Sequence, residues 1–481
     1  MTALCGTAVE HGEGWLVEGV WDAPFEAGEF HLREAFFGSG LRVDGNEVTA
    51  CASTALVDRL LYSATGEHVV VSNSLPLLLA VSGARLVADH DYREDCRLAQ
   101  HGISGPTHGL PVAHPLFDRF SILVHGNLVV GPDGERKELR SAVHRFASYD
   151  DYLSRLNGTL ARLADNWRSP ARCWPLTPAS CVSAGFDSPA VAALVRPLGV
   201  RDCFTTRPGD DPPSSTIEDG AAVATALGLE LHLLRPPAEV DELETYFMTA
   251  TAEGSELWMH AAARRFASAP GVGLLFSGHC GDFAWQPSAT DCPPGDVRRG
   301  DDSGLHLAEV RLRSGFVHVP LPFLFARSFE DLHRIARSPE MAPWRLGTDY
   351  DRPIPRRILE SAGVPGRLFG QRKSAIFVYT YPQPYNRLLR SEFVAWLGAR
   401  LPAARLCLAL HHLFLIVDRK LAQNAKRVGL DWRRWRLPRP IRRWPLGGLE
   451  PRHLVFQWAN ERLAGELAAG LGPLPAAFGT R

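Results

Sequence analysis

The chain has 481 residues, 45% apolar and 22% charged, with a formal net charge of −1. Such a composition excludes a disordered or collagen-like chain and a molecule built as a whole to attract polyanions, and its length predicts two or three domains with a large core. Nine cysteines without a CxxC pair exclude a zinc ribbon and a thioredoxin-type motif. No run of about 18 apolar residues predicts a transmembrane helix, and the N-terminus lacks the basic-then-apolar pattern of a secretory signal. The expected setting is soluble, reducing and cytoplasmic.

In chain order, residues 1 to about 165 predict a mostly β domain. Its short apolar strands, such as His68 to Val71 and Ser121 to Val130, are broken by Gly- and Asn-containing turns. A helix over Tyr149 to Trp167 leads out of it. Alternation then begins: strand Ala179 to Ser183, helix Ser188 to Leu198 with Pro189 in its first turn, and strand Asp202 to Thr206. Next come a Pro-rich loop Arg207 to Ser215, helix Thr216 to Leu227, strand Glu230 to Leu234, helix Val240 to Ala252 and strand Gly273 to Phe276. Strands alternating with helices predict an α/β domain, its parallel sheet covered on both faces and its ligands beyond the carboxyl ends of the strands. From about residue 300 the chain reads as mainly helical, rich in Arg and Pro.

Cys181-Val182-Ser183-Ala184-Gly185-Phe186-Asp187-Ser188 joins the first strand of the alternating zone to its first helix. A small glycine-containing turn lets backbone N–H groups approach an anion, and the helix N-terminus adds partial positive charge. Ser183 and Ser188 offer hydroxyl donors to phosphate. Asp187 would repel phosphate directly, so its sensible task is to hold Mg²⁺ bridging the phosphate oxygens. The alternative is structural, with Asp187 and Ser188 capping the helix.

This loop resembles the SGGxDS loop of the N-type ATP pyrophosphatases, and specifically the asparagine synthetase family, which includes β-lactam synthetases and lasso-peptide cyclases. Ala184 stands where the family has a second glycine. A second segment, Phe276-Ser277-Gly278-His279-Cys280-Gly281-Asp282, resembles the family's LSGEGxDE loop, with Asp282 on the metal-holding position. Cys280 replaces a glycine there, and Phe283 follows where the family has Glu. A third segment, Tyr350 to Arg357 followed by Phe369-Gly370-Gln371-Arg372-Lys373, is similar to the late segment in which one lysine approaches the pyrophosphate and the acyl centre. The resemblance covers about residues 178 to 380. It implies an ATP pyrophosphatase-type (PP-loop) synthetase domain over 166–481, with ATP held by Ser183, Ala184, Gly185, Phe186, Asp187, Ser188, Ser277 and Gly278. Mg²⁺ would lie on Asp187 and Asp282, and Lys373 would stabilise developing charge.

The resemblance also marks departures. In the family a glutaminase (Ntn) domain precedes the loop and uses an N-terminal cysteine whose free α-amino group is the base. Here Met1 is followed by Thr2, the nearest cysteine is Cys5, and Cys5 reads as a buried small hydrophobe. Residues 1–165 therefore read as a degenerate class II amidotransferase-like domain, and the incoming nitrogen is expected to be an amine used directly. In Val317-His318-Val319-Pro320-Leu321-Pro322-Phe323, His318 occupies a family glutamate position and Phe325 an aspartate position; His279 replaces the glutamate of the second loop. Either histidine suits a general base, with a pKa near neutrality, or is an ordinary polar residue of a pocket. These changes argue against aspartate as the substrate.

Arg419 to Arg443 holds ten Lys or Arg against Asp431 alone, with Trp432 and Trp435 interleaved and Trp444 following. Such a stretch, within a basic helical segment of about 415–450, suits an anionic carrier, RNA or a membrane surface, though a solvated helix face is the plainer reading. The expected reaction is AMP-forming amide ligation between a small-molecule or peptide carboxylate and an amine, in a chain that could pair as a homodimer. A tRNA-modifying adenylating enzyme and an inactive nucleotide-binding scaffold are the alternatives.

Overall fold

A computed structural model describes residues 2–6, 8–65, 68–96, 101–103, 109–139, 143–206, 220–234, 240–250, 257–287, 295–298, 304–348, 350–371, 383–428, 430, 438, 444–446 and 448–471. The first part of the chain forms two antiparallel sheets. Their strands, in chain order, are β1 (Glu10–Gly12), β2 (Trp15–Trp21), β3 (Phe36–Asp44), β4 (Glu47–Cys51), β5 (Leu60–Thr65), β6 (His68–Ser72), β7 (Arg85–Leu86), β8 (Gly109–Ala113), β9 (Arg119–Leu123), β10 (Asn127–Gly131) and β11 (Gly134–Glu138). One sheet has the order β1-β2-β3-β4-β10-β11 and the other β6-β5-β9-β8-β7. Ala50 and Leu128 of the first meet Leu60, Tyr62 and Leu123 of the second in a shared apolar cluster.

The expected strand Ser121 to Val130 is two strands of different sheets, β9 and β10. His125, with φ 53, turns the chain between them, and Gly126 O receives the amide of Ala52 at 3.0 Å. The Gly126-Asn127 pair at the break is a turn signal, masked by the apolar residues on both sides of it. Cys5 is also corrected: it is exposed rather than buried.

The helix Tyr149–Trp167 begins where Ser148 accepts the Asp151 amide at 3.2 Å, with Asp150 and Asp151 in its first turn against the helix dipole. Tyr149, Tyr152, Leu156, Leu160, Leu163 and Trp167 recur at helical spacing and are buried. They belong to one core cluster with Val20 and Phe37 of the antiparallel sheet and Leu274 and Phe276 of the next sheet. The helix thus joins the two regions.

The second sheet region has five parallel strands: β12 (Leu176–Cys181), β13 (Asp202–Thr206), β14 (Glu230–Leu234), β15 (Val272–Ser277) and β16 (Phe316–Pro320). Their order is β14-β13-β12-β15-β16. β15 is buried at every position, as a strand covered on both faces must be. β13 and β14 match the sequence expectation residue for residue. β12 begins earlier and ends at Cys181. The following helix is Asp187–Val195, continued by a short 3₁₀ turn over Arg196–Leu198. Of the expected helix from Val240, only Glu244–Met248 is α-helical, and 251–252 lie outside the described residues, as do Arg207 to Ser215 and 216–219.

β16 is a strand inside the stretch read as mainly helical. Its five residues, Phe316–Pro320, are buried throughout, and a run that short between helices has no periodicity to declare itself. The other regular elements among the described residues of the late zone are helices, the last of them Pro451–Gly470. His453 and Gln457 of that helix reach Asp91 and Val87 of the antiparallel region at 2.9 and 3.0 Å. No helix among the described residues is long and apolar enough to cross a membrane.

Candidate functional site

In the parallel sheet β12, β13 and β14 succeed one another on one side, and β15 then lies on the other side of β12. The strand order therefore reverses between β12 and β15, and in open parallel sheets the crevice beyond such a reversal is where ligands bind. The two loops singled out in the sequence leave the carboxyl ends of these two strands.

The first loop, from Cys181 to Ser188, is closed on itself. Ser183 Oγ and Ser188 Oγ are 2.9 Å apart, and the Gly185 amide donates to Ser183 Oγ at 3.1 Å. Phe186 is 1% exposed, so its ring belongs to the core, against Tyr350 at 4.9 Å and Phe369 at 5.8 Å between centroids. Its part in any nucleotide site is through its backbone. Ser183, Ala184, Gly185, Asp187 and Ser188 are half-buried and line the surface of the turn.

The second loop lies directly on the first. A β-carbon on Gly278 would stand 2.4 Å from the Ser188 backbone nitrogen, and one on Gly281 would stand 2.6 Å from the Asp187 carboxyl carbon. Both positions need glycine for this close approach. Cys280, at φ 59, caps the short helix Gly281–Ala284 from the left-handed region, which costs an L-residue about 1–2 kcal/mol relative to glycine. The loop is anchored behind by buried Trp285, whose indole N–H donates to Tyr152 Oη at 3.0 Å. His333 Nε2 lies 2.8 Å from the Phe283 carbonyl, which fixes the residue standing where the family has Glu. Burial holds His333 below the ordinary imidazole range.

Asp187 and Asp282 are thereby brought together: the carboxyl of one lies against the residue before the other, and both are half-buried. Two half-buried carboxylates with hard oxygen donors on adjoining turns suit Mg²⁺, which completes its shell with water and other oxygen ligands. The cradle that Gly281 leaves for the Asp187 carboxyl is the feature that makes this fit.

Ser277, Gly278, His279 and His318 form the other wall. Ser277 Oγ lies 2.6 Å from His318 Nε2 and 2.9 Å from His279 Nδ1, and the two imidazole rings meet edge to face at 5.0 Å. His318 is 1% exposed, on β16 beside Leu275 of β15. Phe325, in the family's aspartate position, is buried with φ 66 and packs against Phe146 and His144.

The late segment docks on the first loop. The Gly370 amide donates to the Ala184 carbonyl at 2.7 Å, and Gly370, at φ 68, has the Phe186 ring 2.2 Å from where a β-carbon would be. Only glycine fits there. Lys373, three positions on, lies outside the described residues. So do Asp431, Trp432 and Trp435, while Arg419 and Lys420 fall within helix Ala404–Arg427.

Two residues make contacts at the site that the sequence did not disclose: Tyr350, which opens the third segment, and Gly220. Tyr350 places its hydroxyl 3.3 Å from the β-carbon position of Gly185, over the first loop. Gly220, at φ 69, comes within 2.8 Å of the Ser183 backbone by the same measure. An aromatic beside a charged run and a glycine before a helix carry no local signal of such contacts.

Elsewhere, Asp202, Glu230 and His232 bring ligand atoms within 4.8 Å of one another. They sit at the amino ends of β13 and β14, where His232 Nε2 is 2.5 Å from Asp202 Oδ1 and 3.4 Å from Arg265 Nη2, as in a surface ion network. A groove of about 460 Å³ lined by Trp167, Arg168, Leu176 and Leu198 also lies at the amino end of the sheet. Both are on the far side from the two loops. No protein-family model matches the chain, and no curated protein matches it.

Proposed function

We propose that the chain is an ATP-dependent amide-forming ligase that adenylates a carboxylate, releases pyrophosphate and passes the acyl group to an amine without glutamine. The observation that carries this reading is the meeting of two glycine-dependent loops at the reversal point between β12 and β15, with Asp187 and Asp282 on their adjoining backbones. On this reading the parallel region is a PP-loop synthetase domain and the antiparallel region a degenerate amidotransferase-like one.

ATP would be bound with its phosphates on Ser183, Gly185 and Ser188, whose hydroxyls and amide, closed on one another in the structure, would turn to the anion. Asp187 and Asp282 would hold Mg²⁺, which would supply charge neutralisation on the phosphates. The substrate carboxylate attacks the α-phosphorus, pyrophosphate leaves, and the amine then attacks the acyl carbon. Lys373, carried on the segment that docks through Gly370, stabilises the developing charge. His279, half-buried, stands beside Ser277 with the buried His318 behind it, and this pair is the group suited to take the amine's proton.

The test is AMP and pyrophosphate release from Mg-ATP with metabolite and peptide fractions. Wild type is expected to turn over, and Asp187→Ala and Lys373→Ala to lose it. ATP binding without turnover in any fraction, abolished by Asp187→Ala, would replace the ligase by a nucleotide-binding scaffold. No ATP binding would end the reading altogether.

A further inference from the structure

Helix Ala404–Arg427 has two sides of unequal logic. Ala404, His411, Asp418 and Ala425, seven positions apart, are buried and mark the side turned to the protein, where Cys407 and Leu408 pack on a core cluster. The side turned to solvent is the unexpected one. Leu406, Leu413, Val417 and Leu421 are 60%, 51%, 38% and 39% exposed. Val428, whose amide still donates to the Asn424 carbonyl at 3.2 Å, is 70% exposed. A helix that only covers a core turns polar residues to water on that side.

At 3.6 residues per turn these five side chains fall within about 80° of the helix circumference and run about 33 Å along it. One exposed leucine is ordinary, but a continuous aliphatic stripe marks a surface that meets something. Cations border the stripe. Lys420 and Arg427 stand along one edge, with Arg405 and His412 beyond them, and all four are exposed. From 404 to 430 the sequence has one acid, Asp418, and it is buried on the inner side. The sequence then continues with six arginines between Arg433 and Arg443, with Trp432 and Trp435 among them.

Whatever covers this face must receive aliphatic side chains along a line and offer negative charge beside it. RNA would engage the cations and leave the leucines in water. A second copy of the helix would add cations to a border that already carries them. An anionic bilayer meets both demands, with acyl chains under the stripe and headgroup phosphates against the Lys and Arg. Tryptophan among arginines suits the same interface. No helix among the described residues is long and apolar enough to cross a membrane, so this one would lie in the surface plane. We propose that helix Ala404–Arg427 is a peripheral membrane-docking element that seats Leu406, Leu413, Val417, Leu421 and Val428 in an anionic phospholipid surface. The proposal is independent of the ligase reading.

The experiment is flotation of the full chain with vesicles of phosphatidylcholine, alone or mixed with phosphatidylglycerol. Wild type is expected to float with the mixed vesicles and not with the neutral ones, and its affinity is expected to fall about tenfold or more between about 0.1 M and about 0.5 M salt. Leu413→Gln, Val417→Gln and Leu421→Gln together keep helix-forming residues at exposed positions. They are expected to weaken vesicle binding about 100-fold with the melting temperature unchanged. Lys420→Glu with Arg427→Glu is expected to weaken it about tenfold or more. Failure of wild type to float with anionic vesicles overturns the proposal, and poly(U) binding in that case assigns the basic stretch to RNA. Flotation untouched by the triple variant overturns it as well. So does a dimer, seen by analytical ultracentrifugation, that the triple variant dissociates while flotation persists, which gives the stripe to a second copy. A collapse of the melting temperature in the triple variant overturns it too, by showing the stripe packed within the molecule.

Discussion

The antiparallel region and the parallel region both place charged side chains out of water, but they use them differently. Around the antiparallel sheets the buried charges close on one another. Arg311, 1% exposed, reaches Glu18 at 3.0 Å and Asp58 at 3.1 Å, and Glu18 also receives Ser39 at 2.9 Å and Asn73 at 3.3 Å. Glu10 accepts the amides of Cys173 and Trp174 at 3.0 Å each and lies 3.8 Å from Arg172. These groups tie segments far apart in sequence, and their charges are consumed in doing so. At the ends of β12 and β15 the carboxylates are half-buried on glycine-lined turns that face outward. Buried charge by itself therefore marks the joints of this molecule, and its candidate site is marked by close backbone approach at a reversal of strand order.

Substitutions can break that comparison, and the largest effect is expected at the open end. Asp187→Ala should lower AMP formation by about 10³-fold, since several kcal/mol of charge neutralisation is lost at about 1.4 kcal/mol per tenfold, while the melting temperature holds. Arg311→Met should do the reverse. Removing one partner of a buried ion pair costs about 3–5 kcal/mol, so chemical denaturation should show a large loss of stability while the residual folded protein keeps its ATP affinity. An Arg311 variant that lost ATP binding but not stability would erase the distinction.

A smaller effect is expected from pH at the joint between His453 and Asp91. Burial pushes His453 down to about 4 from its ordinary 6.5. Between these values the unfolded chain binds the proton and the folded one does not, so the stability contribution is present above pH 6.5 and is lost as pH falls toward 4, up to about 3 kcal/mol. Denaturation midpoints of wild type and His453→Gln across pH 4 to 7 should diverge in slope, with the variant flatter.

Gly370→Ala ranks next. An alanine there must hold φ 68 and displace the Phe186 ring, a cost of about 1–3 kcal/mol. Because Phe186 lies under the first loop, its ATP affinity should fall along with stability, which joins the two halves of the comparison in one variant. The smallest effect is expected at exposed Cys5, where Cys5→Ser should leave stability and AMP formation within error.

What could be read from the sequence follows from how local each feature is. Helix Tyr149–Trp167 declares itself by a cap and a helical apolar stripe, β13 by its Phe-Thr-Thr run, and β14 by a short leucine-rich run between Gly228 and Pro236. The two loops were legible because small residues and hydroxyls stand at fixed offsets from a helix start. β16 was not, since five buried residues among helices have no period of their own. Nor was the break at His125, where the turn is made by a residue that seldom adopts positive φ.

The sequence by itself determined the alternation of strand and helix after Ala179 and the residues of both loops, because each depends on neighbours a few positions away. The tertiary structure alone decided that Gly278 and Gly281 lie on Ser188 and Asp187, that Tyr350 stands over Gly185, and that one serine joins two histidines. Apart from Ser277 to His279, two positions apart, those contacts span 41 to 165 positions of chain and depend on strand order, which no local pattern of side chains encodes.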